Sequence, residues 1–528
     1  MPPTKEQETI LDAVQNGTRN LTVSAVAGSG KTTTIVHATR LAGSGVGFAA
    51  FNSHIVDELR ERLGSTSDAV TLHSLGFRIL RSHRPSIYLD KDKVRTKLKT
   101  LFPQHHREGS KQWKGRYFLK DEYASLGDVV NICRQQYEFP TGDGVKTIRD
   151  ACYRQNVDLP PHKDDQEEIW ELANEATREV MDDTTTCDYA DQLAMPLHHG
   201  WVRPQYQTLF IDEAQDLSPV QHLLGLGSGE RIVGVGDPFQ SIMGFAGADI
   251  NSFPNMIQRL SETARGNTTL PLSCCFRCPA SHLEVAQILV PGIMPKPNTE
   301  AGIIDNATSV TMVETATAGD MVLCRNTAPL IELAFRFMRE GRPVIVRGRS
   351  LGDGLKSIVR KLRAKTITQL IDSLSRWKAQ QVENLESGDG SNEDAIQRVL
   401  DQAGSLAVLA YESKTVEELD QKIDMLFGDG SSKELICLST IHKAKGLEAE
   451  RVWVYEPGLM PSRPGLQQEL NLLYVALTRS KRELYFVDGS VKRKERSILA
   501  WVESVSDGFS RWELTEDTKS KKVGLFNE

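Results

Sequence analysis

One stretch constrains the fold more than any other: Ser24-Ala25-Val26-Ala27-Gly28-Ser29-Gly30-Lys31-Thr32-Thr33-Thr34. Asn20 to Ser24 ahead of it reads as a short buried strand, and Thr32 to Leu41 behind it as a helix. A glycine-rich turn from strand to helix that ends in Gly-Lys-Thr is a phosphate cradle. The backbone N–H groups of the turn and of the helix N-terminus face the anion. Ala27, Gly28, Ser29, Gly30, Lys31, Thr32 and Thr33 are its candidate binding residues. Lys31 would reach the β- and γ-phosphates of a nucleotide, and the Thr32 hydroxyl would hold Mg²⁺. Gln7 sits on a helix expected over Thr4 to Val14, where its amide is able to read an adenine edge. Ala25 departs from the general pattern, which has glycine there.

A cradle of this kind belongs to an α/β protein, and the rest of the chain is long enough to supply one. Its 528 residues suggest about two to four domains. The net charge of −7 excludes a uniformly basic nucleic-acid coat, so any nucleic-acid contact must come from local patches. The eight cysteines, with no secretory leader ahead of them, suggest a reducing compartment. No apolar run approaches the ~18 residues that a membrane span needs. The expectation is a soluble cytoplasmic protein, of a bacterial or phage-infected cell or nucleoid-associated, with no membrane partner.

Strands and helices alternate along the chain, which indicates a parallel, doubly wound sheet with ligands at the carboxyl ends of its strands. Gly45 to Phe51 reads as a second strand and runs into Asn52; Thr71 and His73 lie at a later strand–helix junction. Lys91 to Lys120 holds ten Lys or Arg against two acids, with Trp113, Tyr117 and Phe118 interleaved. That suits a nucleic-acid backbone and its bases, and equally a solvated helical face. The sheet resumes at Tyr206 to Ile211 and ends in Asp212-Glu213-Ala214-Gln215-Asp216. Asp212 would hold Mg²⁺ through water and Glu213 would polarise an attacking water. Another strand, Arg231 to Asp237, leads to Gln240, placed to sense a γ-phosphate, and to Phe245, whose ring reads as core or as a stacking platform. A second α/β unit is expected from about Thr268, with strands at Met321 to Cys324, Pro343 to Val346, Glu434 to Leu438, Arg451 to Tyr455 and Tyr485 to Val487.

Taken together, these motifs resemble the superfamily 1 DNA helicases of the UvrD/PcrA/Rep type. The cradle is similar to the family's Ala-x-x-Gly-x-Gly-Lys-Thr, which accounts for Ala25. Ala50-Phe51-Asn52, Thr71-Leu72-His73-Ser74-Leu75, Asp188-Tyr189-Ala190-Asp191-Gln192-Leu193, Asp212 to Asp216 and Gly236 to Ile242 resemble successive motifs of the first half. Leu272-Ser273-Cys274-Cys275-Phe276-Arg277, Ser439 to Glu448 and Leu473 to Ser480 resemble those of the second. The resemblance implies two RecA-like P-loop domains with parallel sheets, each interrupted by a mainly helical insertion, and ATP bound between them. It implies that Arg277 and Arg479 reach the γ-phosphate from the second domain, that Phe276 stacks on adenine and that Glu448 contacts the ribose. It places single-stranded DNA across Phe51, Asn52, His73, Phe245, Arg325 and His442.

The implied organisation is a first RecA-like domain at 1–83 and 201–267, split by an insertion at 84–200. A second occupies 268–350 and 433–515, split by a reduced insertion at 351–432, with a tail at 516–528. Ala246 stands where the family has Arg, and the short second insertion departs from the large members. Cys274, Cys275 and Cys278 lack a fourth ligand and read as packing residues rather than a metal site. The implied function is an ATP- and Mg²⁺-dependent DNA helicase, moving 3′ to 5′ by analogy and acting at single/double-strand junctions. RNA is an alternative strand, and replication or repair proteins are candidate partners. A translocase that strips proteins with little unwinding, and a non-enzymatic DNA-binding scaffold, are the rival readings.

Overall fold

The computed structural model describes residues 2–50, 53–63, 68–102, 120–155, 157, 159, 163–243, 251–386, 393–427, 434–461, 467–489 and 497–506. Two six-stranded sheets organise it. The first runs in the order Asp68–Thr71, Val46–Ala50, Tyr206–Ile211, Gly229–Gly236, Asn20–Ala25, Asn267–Leu272, with every pairing parallel. The second runs Ile303–Thr308, Ser480–Asp488, Ala449–Tyr455, Met321–Cys324, Ile436–Thr440, Val344–Val346, again all parallel. Each sheet is the core of a RecA-like domain.

Parallel strands need crossovers, and the crossover helices bury both faces of each sheet. The period-2 alternation of strand side chains shows this directly. Phe48 and Phe210 stack 6.2 Å apart on one face of the first sheet, in a cluster with Ile10, Ile35 and Leu59. Their neighbours Ala49, Leu209 and Ile211 point to the other face, against Leu75, Leu224 and Phe253. In the second sheet, Leu323, Val452 and Phe486 face one way, and Val322, Trp453 and Val487 the other.

One boundary differs from the sequence expectation. Asn267–Leu272, expected to open the second domain, pairs with Asn20–Ala25 along its whole length and forms the edge of the first sheet. The chain crosses to the second domain only after Leu272, so the residues that follow start beside the cradle.

The helical segment of the first insertion comprises Lys93–Leu101, Lys120–Gln136, Gly144–Arg154 and Lys163–Asp182. They close on their own apolar cluster, including Phe102, Val129, Ile148 and Leu172. The second insertion comprises Arg349–Leu362, Ile367–Glu386, Glu393–Tyr411 and Val416–Leu426. It packs Leu355, Leu406 and Ile423 on the second sheet's core, while Leu385 and Val399 reach into the first insertion's cluster. Among the described residues no helix is long and apolar enough to cross a membrane.

A buried ion cluster holds the first insertion together internally. Arg134, fully buried, donates to Asp188 Oδ1 at 2.7 Å and to Asp191 Oδ1 at 2.7 Å. Lys93, also buried, donates to Asp191 Oδ2 at 2.7 Å and to two carbonyls. Lys93 belongs to the basic stretch considered for nucleic acid, and it instead neutralises an internal carboxylate. Residues 103–119 of that stretch, including Trp113, Tyr117 and Phe118, lie outside the described residues. Removing one partner from such a cluster leaves uncompensated buried charge. Arg134→Ala is therefore expected to cost about 3–5 kcal/mol. Glu230→Ala, which breaks the exposed Arg265–Glu230 pair, is expected to cost ~0–1 kcal/mol. Urea titrations followed by far-UV circular dichroism would compare the two; equal costs would contradict the assignment of the cluster as a structural tie.

Candidate nucleotide and strand site

The carboxyl ends of the first sheet gather the cradle, Asp212, Asp237 and, beyond Leu272, the turn that enters the second domain. The cradle turns through left-handed glycines, Gly28 at φ +66° and Gly30 at φ +75°. A Cβ on Gly28 would lie 2.7 Å from Arg277 Cβ and 3.0 Å from Cys275 Sγ, so the bare backbone is what lets the second domain's turn approach. There the Phe276 N–H donates to the Gly28 carbonyl at 2.9 Å.

Phe276 is exposed, and it flanks Gly30 together with Gln7. That arrangement leaves an aromatic face and an amide on the same side of the cradle, as an adenine pocket requires. Gln7 is already oriented: its Oε1 accepts from Thr4 N–H at 2.9 Å in a capping box, and its Nε2 donates to Thr34 Oγ1 at 2.9 Å. The helix that follows the cradle begins at Lys31, with Thr32 half-buried and Thr33 exposed on its first turn.

Three carboxylates surround Lys31. Burial alone would depress its ammonium, but Glu213, Asp237 and Asp212 outweigh that and hold its pKa above the ordinary lysine value. Burial and the adjacent Glu213 charge push the Asp212 carboxyl up. Burial acts on Glu213 in the same sense, yet the charges of Lys31, Lys445 and Arg479 and a hydrogen bond from Gln215 keep it below the usual carboxylate range. Glu213 itself adopts φ +48°, a left-handed conformation rarely taken by a residue with a side chain. Gln215 stabilises the arrangement: its Nε2 donates to Glu213 Oε2 at 2.5 Å, and its Oε1 accepts from Asp237 N–H at 3.0 Å. These oxygen donors fit a hard divalent cation; Asp212 and Thr32 are the residues that would hold it.

The second domain completes this cluster. Gln240 Nε2 donates to Asp237 Oδ2 at 2.5 Å, while its Oε1 accepts from Arg479 at 3.2 Å. Arg479 is buried, further held by the carbonyls of Val475 and Leu447, and burial lowers its pKa to about 10. Lys445 Nζ spans Asp216 Oδ1 and Oδ2 at 2.7 and 2.6 Å and the Gln240 carbonyl at 2.5 Å. The Ala27 N–H of the cradle donates to the Tyr474 hydroxyl at 2.9 Å. Arg277 stands over the cradle with its Nε bonded to Glu448 Oε2 at 2.7 Å and its Nη1 to the Thr478 carbonyl at 3.3 Å. Glu448 also pairs with Lys481, so both its oxygens are engaged by cations.

The structure thus brings together Gln7, the cradle, Asp212, Glu213, Gln240, Phe276, Arg277, Glu448 and Arg479. Gln215, Asp216, Lys445 and Tyr474 join them, although sequence reasoning does not single them out. Each lies inside a quoted motif, but nothing in a linear sequence says that Lys445 meets Asp216 from another domain.

The strand candidates are more scattered. Phe51, Asn52 and Phe245 lie outside the described residues. His73 lines a cleft of 460 Å³ with Lys91, Tyr189, Asp216 and Met243, and burial lowers its pKa. Arg325, expected on the strand, is instead bound to the buried Glu469 through Nε and Nη2, at 3.0 and 2.7 Å. His442 is half-buried; desolvation and the nearby Arg325, Arg398 and Lys443 charges push its pKa well below the ordinary histidine value.

Residues 5–261 match the UvrD/REP helicase N-terminal domain, and residues 435–487 match the UvrD-like helicase C-terminal domain. DNA helicase II of Escherichia coli is 26% identical over 313 residues, covering 53% of this chain and 39% of the relative. F-box DNA helicase 1 of Gallus gallus is 25% identical over 532 residues, covering 91% of this chain and 48% of the relative. F-box DNA helicase protein 1 of Schizosaccharomyces pombe is 27% identical over 351 residues, covering 61% and 38%. The chain spans less than half the length of each of these relatives. The two matched domains flank the whole nucleotide seam and together span more than half of the chain, which belongs to the UvrD-like helicase family.

Proposed function

We propose that this chain is an ATP-dependent DNA helicase that translocates on single-stranded DNA, 3′ to 5′, and opens duplexes at single/double-strand junctions. The observation that carries the reading is the hydrogen-bonded path Asp237–Gln240–Arg479, which joins the nucleotide side of the first domain to the second. Lys31 and the cradle N–H groups hold the phosphates, and Glu213 orients and deprotonates the attacking water. Arg277 and Arg479 oppose charge developing on the γ-phosphate, which ties hydrolysis to closure of the seam. Bound Mg²⁺ neutralises phosphate charge; Asp212 and Thr32 are its proposed holders. Phe276 and Gln7 receive the base, and Glu448 the ribose once it exchanges a cation for the sugar hydroxyls.

Single-stranded DNA is the proposed track, along His73 and the 460 Å³ cleft, with Phe51, Asn52, Phe245 and His442 as further contacts. RNA and a protein partner in replication or repair are the extensions to test. A second reading, a translocase that displaces proteins with little unwinding, draws support from the short second insertion, whose apolar faces are spent on its own sheet and on the first insertion. Retention of Lys31, Asp212, Glu213, Gln240, Arg277 and Arg479 argues against a non-catalytic scaffold.

The expected result is ATPase activity stimulated by single strands, abolished by chelation of divalent metal or by Lys31→Ala. Unwinding is expected only from substrates with a 3′ tail; unwinding confined to 5′ tails would refute the polarity, and protein displacement without unwinding would favour the second reading. Lys445→Ala leaves Asp216 buried without its cation. It is expected to lower kcat at least about tenfold, equivalent to ~1.4 kcal/mol of barrier, with a smaller change in nucleotide affinity. An unchanged kcat would exclude Lys445 from the coupling of the two domains.

A further inference from the structure

Two buried thiols frame the residues that face the nucleotide. Cys275 ends the short strand Cys274–Cys275, Phe276 and Arg277 follow, and Cys278 lies just before the helix Ala280–Leu289. The Cys278 N–H points at Cys275 Sγ, 3.5 Å away. The Cys278 thiol also lies 3.6 Å from the Thr478 carbonyl, the same oxygen that accepts from Arg277. Cys275 in turn packs on the cradle at Gly28. Cys274 belongs to a different environment, beside Glu6 and Lys296.

We propose that Cys275 and Cys278 form a reversible disulfide that clamps the Phe276-Arg277 turn and makes the nucleotide seam responsive to hydroperoxides. This rests on the reading of the seam as an ATP site. The roles of the two sulfurs differ. Interaction with Cys278, backbone N–H groups and the Arg277 charge hold the Cys275 thiol below its ordinary value, while interaction with the Cys275 sulfur and then burial push Cys278 well above it. Cys275 Sγ accepts a backbone N–H, which favours its thiolate, whereas the Cys278 S–H faces the Thr478 carbonyl, which keeps its proton; Cys275 is the attacking sulfur and Cys278 the resolving one. The Cys275 thiolate attacks a peroxide oxygen, breaks the O–O bond and becomes a sulfenic acid as hydroxide leaves. Deprotonated Cys278 then attacks the Cys275 sulfur and displaces the second hydroxide. Each sulfur gives up one electron, the peroxide takes two, and the two thiol protons leave with the hydroxides as water.

Closing the bond draws the sulfurs to ~2.05 Å and removes the Cys278 S–H from the Thr478 carbonyl. The turn that presents Phe276 and Arg277 is then fixed to one geometry at both ends. The expected consequence is weaker nucleotide turnover in the oxidised protein.

The test treats the full chain with dilute hydrogen peroxide, alkylates the remaining thiols and maps the peptides by mass spectrometry. The expected product is an intramolecular Cys275–Cys278 disulfide formed ahead of oxidation at Cys133, Cys152, Cys324 and Cys437. DNA-stimulated ATPase is expected to fall about tenfold and to return with dithiothreitol. Cys278→Ser should stop at a Cys275 sulfenic acid, trapped by dimedone, and Cys274→Ser should still form the disulfide. Recovery of both thiols alkylated under peroxide that oxidises Cys274 would overturn the proposal. So would a disulfide that leaves ATPase and the affinity for a fluorescent ATP analogue unchanged. The peptide map reads the disulfide whether or not the reduced chain hydrolyses ATP; a reduced chain that neither binds the analogue nor hydrolyses ATP would instead overturn the assignment of the seam.

Discussion

Lys445 and Asp216 set the terms for everything around them. Both side chains are largely removed from water, at 10% and 5% exposure, and they come from different domains. A buried carboxylate without its cation is costly, and the cost falls on whichever arrangement separates the pair. Asp216 follows Glu213 by one short turn, and Lys445 also bonds the Gln240 carbonyl, so the contact fixes two nucleotide-facing segments at once. The seam is thereby defined by charge rather than by shape alone.

Around this pair the same logic repeats. Asp212, Glu213 and Asp237 are drawn together by Lys31, and the second domain adds Arg479 through Gln240 and Lys445 through Asp216. The cations contributed by the two domains are unequal in kind. Lys31 is embedded on the cradle side, whereas Arg479 has been stripped of solvent and is held by carbonyls, with a correspondingly lowered pKa. Its hydrogen-bond partners are neutral: the carbonyls of Val475 and Leu447 and the Gln240 amide oxygen. Apolar contacts reinforce the polar ones. Val26, Ala27, Phe239 and Ile242 of the first domain share a cluster with Leu473, Tyr474 and Leu477 of the second.

Much of this site is legible in the amino-acid sequence. Local patterns specify the strand, the glycine turn and the helix of the cradle, because a phosphate loop is one continuous segment whose geometry depends on adjacent residues. The strand ending at Asp212 is readable for the same reason. The edge strand Asn267–Leu272 is not, since its assignment to the first sheet depends on pairing with Asn20–Ala25 at the far end of the domain, and periodicity carries no information about partners. Lys93 misleads in the opposite way. Composition places it among solvated cations, and only the fold shows it against Asp191. Arg325, which the resemblance places on the strand, is likewise bound to a carboxylate, Glu469, that only the fold brings beside it. Gln215 and Tyr474 act through individual hydrogen bonds, which leave no compositional trace.

The outer contact between the insertions has a different physical character from the seam, and that difference bears on how the molecule can move. At the seam, the ionic and hydrogen-bonding partners can be exchanged for nucleotide oxygens or water, but the apolar cluster beside them cannot. Between the insertions, Leu385 and Val399 lie in the same cluster as Ile148 and Leu172, joined by Arg398 to the Tyr153 carbonyl. Separating apolar surface has no such alternative; water is the only replacement, at about 25 cal/mol for each Å² exposed. Opening the seam exposes the apolar surface that Val26, Phe239 and Tyr474 share as well, so exchange of its polar partners offsets only part of the cost.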